Sequence, residues 1–353
     1  MRNETIDIAK GIGILSVVLC HNWIAYNNRE LYRVIYSFHM PLFFFISGIF
    51  FNPNSTFKFF VSNKFESLLK PYFVTLIGLF LFNYVLNLVT NTSFDAPRYF
   101  FKLLYGSSST LNWAPLWFLP HLFLVFIVGW FIHHYIFRHF QHNFYKVIFI
   151  SIMLLIGMLT IQTFWLTPLD PLGLNLILYN KNLLHGLPFD IDIIIVTLPF
   201  FLFGTLCDKK MKYFQFNIIY TALSLIIFIG LHYSYNYSIA FHLRQYDDFM
   251  VSTLQIITGI YLVFSIAKLC TKYKILSKVL SYLGQASLFI LIFHYPIQRF
   301  IIFNIQYHLP QFKPHVALVA MLISIISSVI LWQVTQNYSW LKMIFLPKKS
   351  FNA

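Results

Sequence analysis

Ten apolar runs dominate this sequence, each close to the ~20 residues that a helix needs to cross the ~30 Å hydrocarbon core of a bilayer. They fall at about 8–26, 34–51, 71–90, 114–135, 144–166, 187–207, 214–233, 249–270, 280–302 and 315–335. Backbone in lipid must satisfy its own hydrogen bonds, so runs of this length fold as helices. The expected class is all-α: a polytopic integral-membrane bundle, with residues 1–353 forming one domain. The chain is 58% hydrophobic and only 10% charged, against about 25% charged in soluble proteins. That excludes a water-soluble globular protein, a disordered chain and a disulfide scaffold. Cys20, Cys207 and Cys270 lie in or beside apolar runs and read as small buried hydrophobes. The first run opens on Glu4 and Asp7 and lacks a small-residue cleavage site, so it reads as a retained helix, not a signal peptide.

The formal charge of +14 raises nucleic acid as a partner. The basic residues are scattered between apolar runs without forming a dense patch, and nucleic acid is therefore not expected. They read instead as topology signals, since Lys and Arg near span ends stay preferentially cytoplasmic. Of the 25 Lys and Arg, 17 fall on one side of the alternating runs and 8 on the other, which puts both termini in the cytoplasm. Glu30, Asp95, Asp170, Asp190, Asp192, Asp247 and Asp248 fall on or near the outer side.

The first run carries the most informative spacing. Lys10 and His21 are eleven residues apart, about three helical turns, which returns to within ~20° of the same face and separates them by ~16 Å along the axis. Lys10 then sits near the cytoplasmic interface and His21 near mid-membrane, with Ile14, Val17 and Val18 between them. An ionisable side chain at that depth normally faces the bundle interior or a water-filled cavity. The plainer readings are a snorkelling, topology-setting lysine and a histidine hydrogen-bonded to a neighbouring helix.

The same region contains Ile6-Asp7-Ile8-Ala9-Lys10-Gly11, His21, and Phe38-His39-Met40-Pro41-Leu42-Phe43-Phe44-Phe45-Ile46-Ser47-Gly48. Further on stand Pro115-Leu116-Trp117-Phe118-Leu119-Pro120, Leu198-Pro199-Phe200-Phe201-Leu202-Phe203-Gly204, Leu283-Gly284-Gln285-Ala286-Ser287 and Phe293-His294-Tyr295-Pro296-Ile297. In this order the segments resemble the acyltransferase 3 family of membrane O-acyltransferases, nearest its fucose 4-O-acetylase-like branch. The resemblance implies acetyl-CoA as a cytoplasmic acyl donor, no metal, and a glycan or glycolipid acceptor at a multi-pass bacterial inner membrane. Lys10, with Lys64 and Lys70, would bind the donor's anionic part, and Ser47 at the inner end of the second span joins them. His21 would act as general base on a sugar hydroxyl, or as a transient acyl carrier.

Several polar positions fall in the outer half of this topology and are the candidate acceptor contacts. His39 enters the second span from outside. Trp113, Trp117 and His121 recur at i, i+4 and i+8, so a helix would align them on one face, although Trp at an interface is also an aromatic belt. Asp190 and Asp192, two residues apart on a helix, would point nearly opposite ways, leaving at most one toward a cavity. Ser287 and His294, two turns apart, share a face. Gly11, Gly13 and Ser47-Gly48 invite close helix packing through small residues.

His133, His134, His139 and His142 lack a complete zinc-type spacing. No serine occupies a nucleophile elbow. Cys20 diverges from His21 by ~100° on a helix. A transporter or flippase using intramembrane His and Asp as a proton relay is the rival class, and a non-catalytic partner in polysaccharide assembly is a third. The acceptor sugar and any homo-oligomer stay open, with membrane lipid as the surrounding partner.

Overall fold

The computed structural model describes residues 3–90, 95–166, 186–237, 239–308 and 313–347. Asp170 and Lys181, both read as outer, lie outside the described residues. Each of the ten apolar runs holds a helix. Seven helical stretches among the described residues are long and apolar enough to cross a membrane. The chain is a polytopic membrane helical bundle.

Helix α1 spans Glu4–Cys20. Its start is dictated locally: the Asn3 side chain accepts from the Ile6 amide, and Glu4 and Asp7 sit in the first turn, where acids complement the helix dipole. The second run is broken. Arg29–Tyr36 forms a separate amphipathic helix before α2, His39–Ile49. Then follow α3 (Lys70–Thr90), reached through Phe57–Lys64 and one π-turn, α4 (Phe118–Phe131) and α5 (Asn143–Leu166). Helices α6 (Ile194–Leu206), α7 (Ile218–Ser234) and α8 (Phe249–Cys270) complete the middle of the chain. The run expected at 280–302 is also divided. Helix α9, Lys274–Gln285, ends at Ala286, and α10, Ser287–His308, begins the span proper, followed by α11, Lys313–Asn337.

The apolar outer surface is what lipid requires. In the stretch Phe57–Thr90 only 11% of the apolar window is buried, and Leu81, Phe82, Val85 and Val89 are exposed. With lipid outside, helices associate by close packing, not by hydrophobic exclusion. Two reciprocal glycine contacts meet that need. A Cβ on Gly11 would stand 2.1 Å from the Leu280 carbonyl oxygen and one on Gly284 would stand 1.9 Å from that of Asp7, so α1 and α9 touch backbone to backbone. Gly48 and Gly204 join α2 to α6 in the same way.

One short hairpin departs from the all-α pattern. Strand β1 (Ile239–Ala240) pairs antiparallel with β2 (Gln245–Tyr246), with Ile239 opposite Tyr246. Its turn holds Phe241–Leu243 and then Arg244 in the left-handed region at φ 59°.

Candidate active site

Helix α1 stops at Cys20, and His21 is its C-cap. The imidazole therefore projects from the helix end, not from the middle of a helix running to residue 26. The cause is Asn22, which is 1% exposed. Its side-chain oxygen caps the next short helix at the Ile24 amide, while its Nδ2 donates to Gln298 Oε1 at 2.7 Å and to the Ala317 carbonyl at 2.8 Å. Gln298 Nε2 donates to the Val18 carbonyl at 3.2 Å, one of the acceptors that a helix C-terminus leaves open. One residue beyond His21, α1 is thus tied to both α10 and α11.

Four imidazoles from four separate segments converge at this point. The His21 ring lies 5.5 Å from that of His294 and meets Tyr295 edge-on at 5.3 Å. His294 is fully buried. Its Nδ1 lies 2.6 Å from the Ile290 carbonyl, which can only accept, so Nδ1 carries the proton and Nε2 presents a bare lone pair. That Nε2 has no hydrogen-bond partner among the described residues. His39 is held the same way by the Ile35 carbonyl at 2.9 Å and packs against Tyr36. His242, from the hairpin turn, lies 5.8 Å from Tyr36 and stacks on Trp117. Burial, then the charges of nearby His21, His39 and Arg244, push the His242 pKa down to about 3.

Two cavities are lined by residues that neighbour this cluster. The inner one, about 170 Å³, is lined by Lys10, Ile14 and Val17 of α1, Ser47 of α2, and Ser287 and Leu291 of α10. His21 stands one turn above Val17, its amide donating to the Val17 carbonyl at 3.3 Å. The part of the stripe from Lys10 through Ile14 to Val17 therefore forms one wall, and His21 follows one turn beyond it. Ser287, Leu288 and Leu291 of α10 line it as well, and His294 lies one turn beyond Leu291. The outer cavity, about 320 Å³, includes Trp113, Tyr295, Pro296 and Arg299. Tyr295 both lines it and touches His21.

Other sequence expectations are corrected. Lys64 sits over the Phe126 ring at 3.6 Å, and Lys70 is engaged by Glu66 and the Leu346 carbonyl; neither lines the inner cavity with Lys10. Trp113 and Trp117 do not share a face, because Ala114–Trp117 is a 3-10 turn. Trp113 reaches the outer cavity, whereas Trp117 meets His242. His121 is fully buried, and both ring nitrogens are engaged, Nδ1 by the Phe189 carbonyl at 3.1 Å and Nε2 by Thr197 at 2.8 Å. It braces the turn before α6, with no nitrogen left for an acceptor.

Asp190 and Asp192 do not diverge. Pro188–Ile193 is a 3-10 segment with Phe189 and Asp190 at φ 55° and 53°, and both carboxylates turn onto Arg244. Its Nη2 reaches Asp190 at 2.7 Å, and its Nε and Nη2 fork onto Asp192 at 2.8 and 3.0 Å. Nη1 donates to the His242 carbonyl at 2.8 Å, so the ion cluster fixes the hairpin that carries His242. Gly186, at φ 102°, leaves room for the guanidinium: a Cβ there would fall 1.7 Å from Nη2. Sequence reasoning singles out neither Arg244, one of the eight outer basic residues, nor His242. The signal was their proximity in one short outer loop opposite two acids with no stated partner.

With this geometry in place, comparison with known families gives a match to the acyltransferase domain of the acyltransferase 3 family over residues 3–333. The chain belongs to that family. It is a multi-pass membrane acyltransferase. Neither the comparison with curated proteins nor that with solved structures finds a match.

Proposed function

We propose that this acyltransferase moves an acetyl group from cytoplasmic acetyl-CoA to a hydroxyl of a cell-surface sugar or polysaccharide, or of its lipid-linked precursor, in the bacterial inner membrane. The supporting observation is that neighbours of His21 line both cavities: Lys10, Ile14 and Val17 of its own helix line the inner one, and Tyr295, which His21 meets edge-on, lines the outer one. The inner cavity has room for the thioester end of a pantetheine arm between apolar walls, with Lys10 at its mouth for the anionic part. The nucleotide would stay at the cytoplasmic surface.

In this reading the acceptor hydroxyl attacks the acetyl carbonyl carbon beside His21. A C–O bond forms, the C–S bond breaks, and the hydroxyl proton passes to an imidazole. The same imidazole then protonates the departing CoA thiolate, so the step is balanced without a covalent intermediate. His294 recasts as a partner in this step instead of an acceptor ligand, since its bare Nε2 can take the proton from a neighbouring imidazole or hydroxyl. His39 and His242 bound the outer side.

The test is acetyl transfer from labelled acetyl-CoA to a glycan acceptor by the purified protein. His21→Ala should abolish glycan labelling while the protein still accumulates, and Lys10→Ala should mainly raise the KM for acetyl-CoA. Wild-type turnover in His21→Ala removes His21 from the mechanism, and vectorial glycan movement without labelling replaces the enzyme with a transporter.

A further inference from the structure

The outer cavity has a chemical character that acetyl transfer alone does not require. Its cations are Lys102 and Arg299, and among the described residues no carboxylate lines it. Trp113, also in its wall, is 9% exposed, and its indole N–H has no hydrogen-bond partner. A buried donor left unpaired costs about 1–3 kcal/mol, and a ligand oxygen would satisfy it. Two cations and an orphaned donor without a balancing acid call for a ligand that brings negatively charged oxygens. Asn83, Tyr99, Thr110 and Asn112 add neutral polar groups, and leucines with the Trp113 and Tyr295 rings supply apolar wall. The volume of about 320 Å³ lies within the ~300–1,000 Å³ range of small-molecule sites.

Tyr295 connects this cavity to the proposed chemistry. Its ring meets His21 edge-on, its hydroxyl accepts from Arg299 Nη1 at 3.3 Å, and the Arg299 guanidinium lies 5.6 Å from its ring centre. Arg299 is exposed at the rim, where an arriving anion meets it first. Pro296 follows directly and lacks an N–H, so the Ile292 carbonyl has no donor one turn up the helix.

We infer that the acetyl acceptor is an anionic saccharide, whose phosphate or carboxylate is held by Lys102, Arg299 and the Trp113 N–H while its hydroxyl reaches His21 past Tyr295. The inference rests on the acetyltransferase reading and names its acceptor class.

Binding is the test, measured by equilibrium dialysis of labelled glucose 1-phosphate, glucuronate and glucose against the full-length protein in neutral detergent. Both anions should bind at least about tenfold more tightly than glucose, and Lys102→Gln and Arg299→Gln should each weaken the anions by about tenfold, the size expected for one charge-assisted hydrogen bond. Glucose binding and thermal unfolding should not change. In acetyl transfer the same variants should raise the acceptor KM with little change in kcat. Equal binding of glucose and glucose 1-phosphate overturns the inference, as does anion binding that survives the double variant. Displacement of glucose 1-phosphate by phosphatidylglycerol but not by phosphatidylcholine assigns the cavity to a lipid headgroup and also overturns it. Dialysis and acetyl transfer measured on the same wild-type preparation separate the two claims: anion binding through Lys102 and Arg299 without acetyl transfer refutes the proposed reaction and leaves the anionic-saccharide site standing, whereas transfer without such binding refutes the site alone.

Discussion

Arg244→Met probes the most exposed claim about the outer half of the site, that a buried ion cluster holds the hairpin. The Arg244 side chain is 1% exposed, with Asp190 at 0% and Asp192 at 7%. Removing the guanidinium leaves two carboxylates in a site that water does not reach. Asp190 keeps the Ser108 amide at 2.8 Å and Asp192 the Leu187 amide at 2.9 Å, which is too little for two charges. Breaking a buried pair by deleting one partner costs about 3–5 kcal/mol. At ~2 °C per kcal/mol for a large chain, the melting temperature in detergent should fall by roughly 6–10 °C. The triple variant Arg244→Met, Asp190→Asn, Asp192→Asn removes the unpaired charges and should recover most of that loss. The difference between wild type and Arg244→Met should also persist in 1 M salt, since burial shields the cluster from screening. A loss under 2 °C, or a triple variant no more stable than the single one, would refute the reasoning.

Gln298→Leu removes the donor to the Val18 carbonyl and the acceptor of Asn22, and should destabilise by about 1–3 kcal/mol. Turnover should fall while the KM for acetyl-CoA holds, because Lys10 is ~12 Å along α1 from the Val18 end of this clamp; a changed donor KM with normal turnover would contradict it. For His242, whose folded pKa of about 3 lies below the ~6.5 of the unfolded chain, the unfolded state binds the extra proton. Its contribution to stability is therefore intact above pH 6.5 and declines as the pH falls toward 3, at up to ~1.4 kcal/mol per pH unit. Substituting His242→Asn should flatten the melting temperature between pH 6.5 and 4 relative to wild type, and an unchanged slope would show that this imidazole is not held neutral.

What the sequence made legible was what helical periodicity controls. The apolar runs located every span, and the wall from Lys10 through Ile14 and Val17 is a continuous helix, so counting turns put those residues on one face. The errors cluster where the backbone leaves the α-helix. Asp190 and Asp192 point together because Phe189 and Asp190 both adopt positive φ, a geometry that Asp tolerates but that nothing in the sequence assigns to Phe189. Trp113 and Trp117 separate because a 3-10 turn advances 120° per residue instead of 100°. Arg244 and its acids are more than fifty positions apart in sequence, and their meeting depends on a hairpin with two residues in each strand.

The two halves of the bundle are held by different physics, and the division follows from what each must do. In the inner half, α1 meets α9 and α2 meets α6 through glycines that bring backbones into contact, the packing that lipid-embedded helices favour. Such contacts fix helix axes but cannot aim side chains carried by loops. The four imidazoles come from residues 21, 39, 242 and 294, of which His21 caps a helix end and His242 sits in a hairpin turn. Irregular backbone at membrane depth is tolerated only where protein or a water-filled cavity surrounds it, and it needs directional bonds to hold one shape. Asn22 with Gln298 supplies them for His21, and Arg244 with Asp190 and Asp192 supplies them for His242. Loss of either polar lock therefore displaces an imidazole before it unfolds a helix, whereas a side chain added at Gly11 or Gly284 forces two helices apart and with them the wall of the inner cavity.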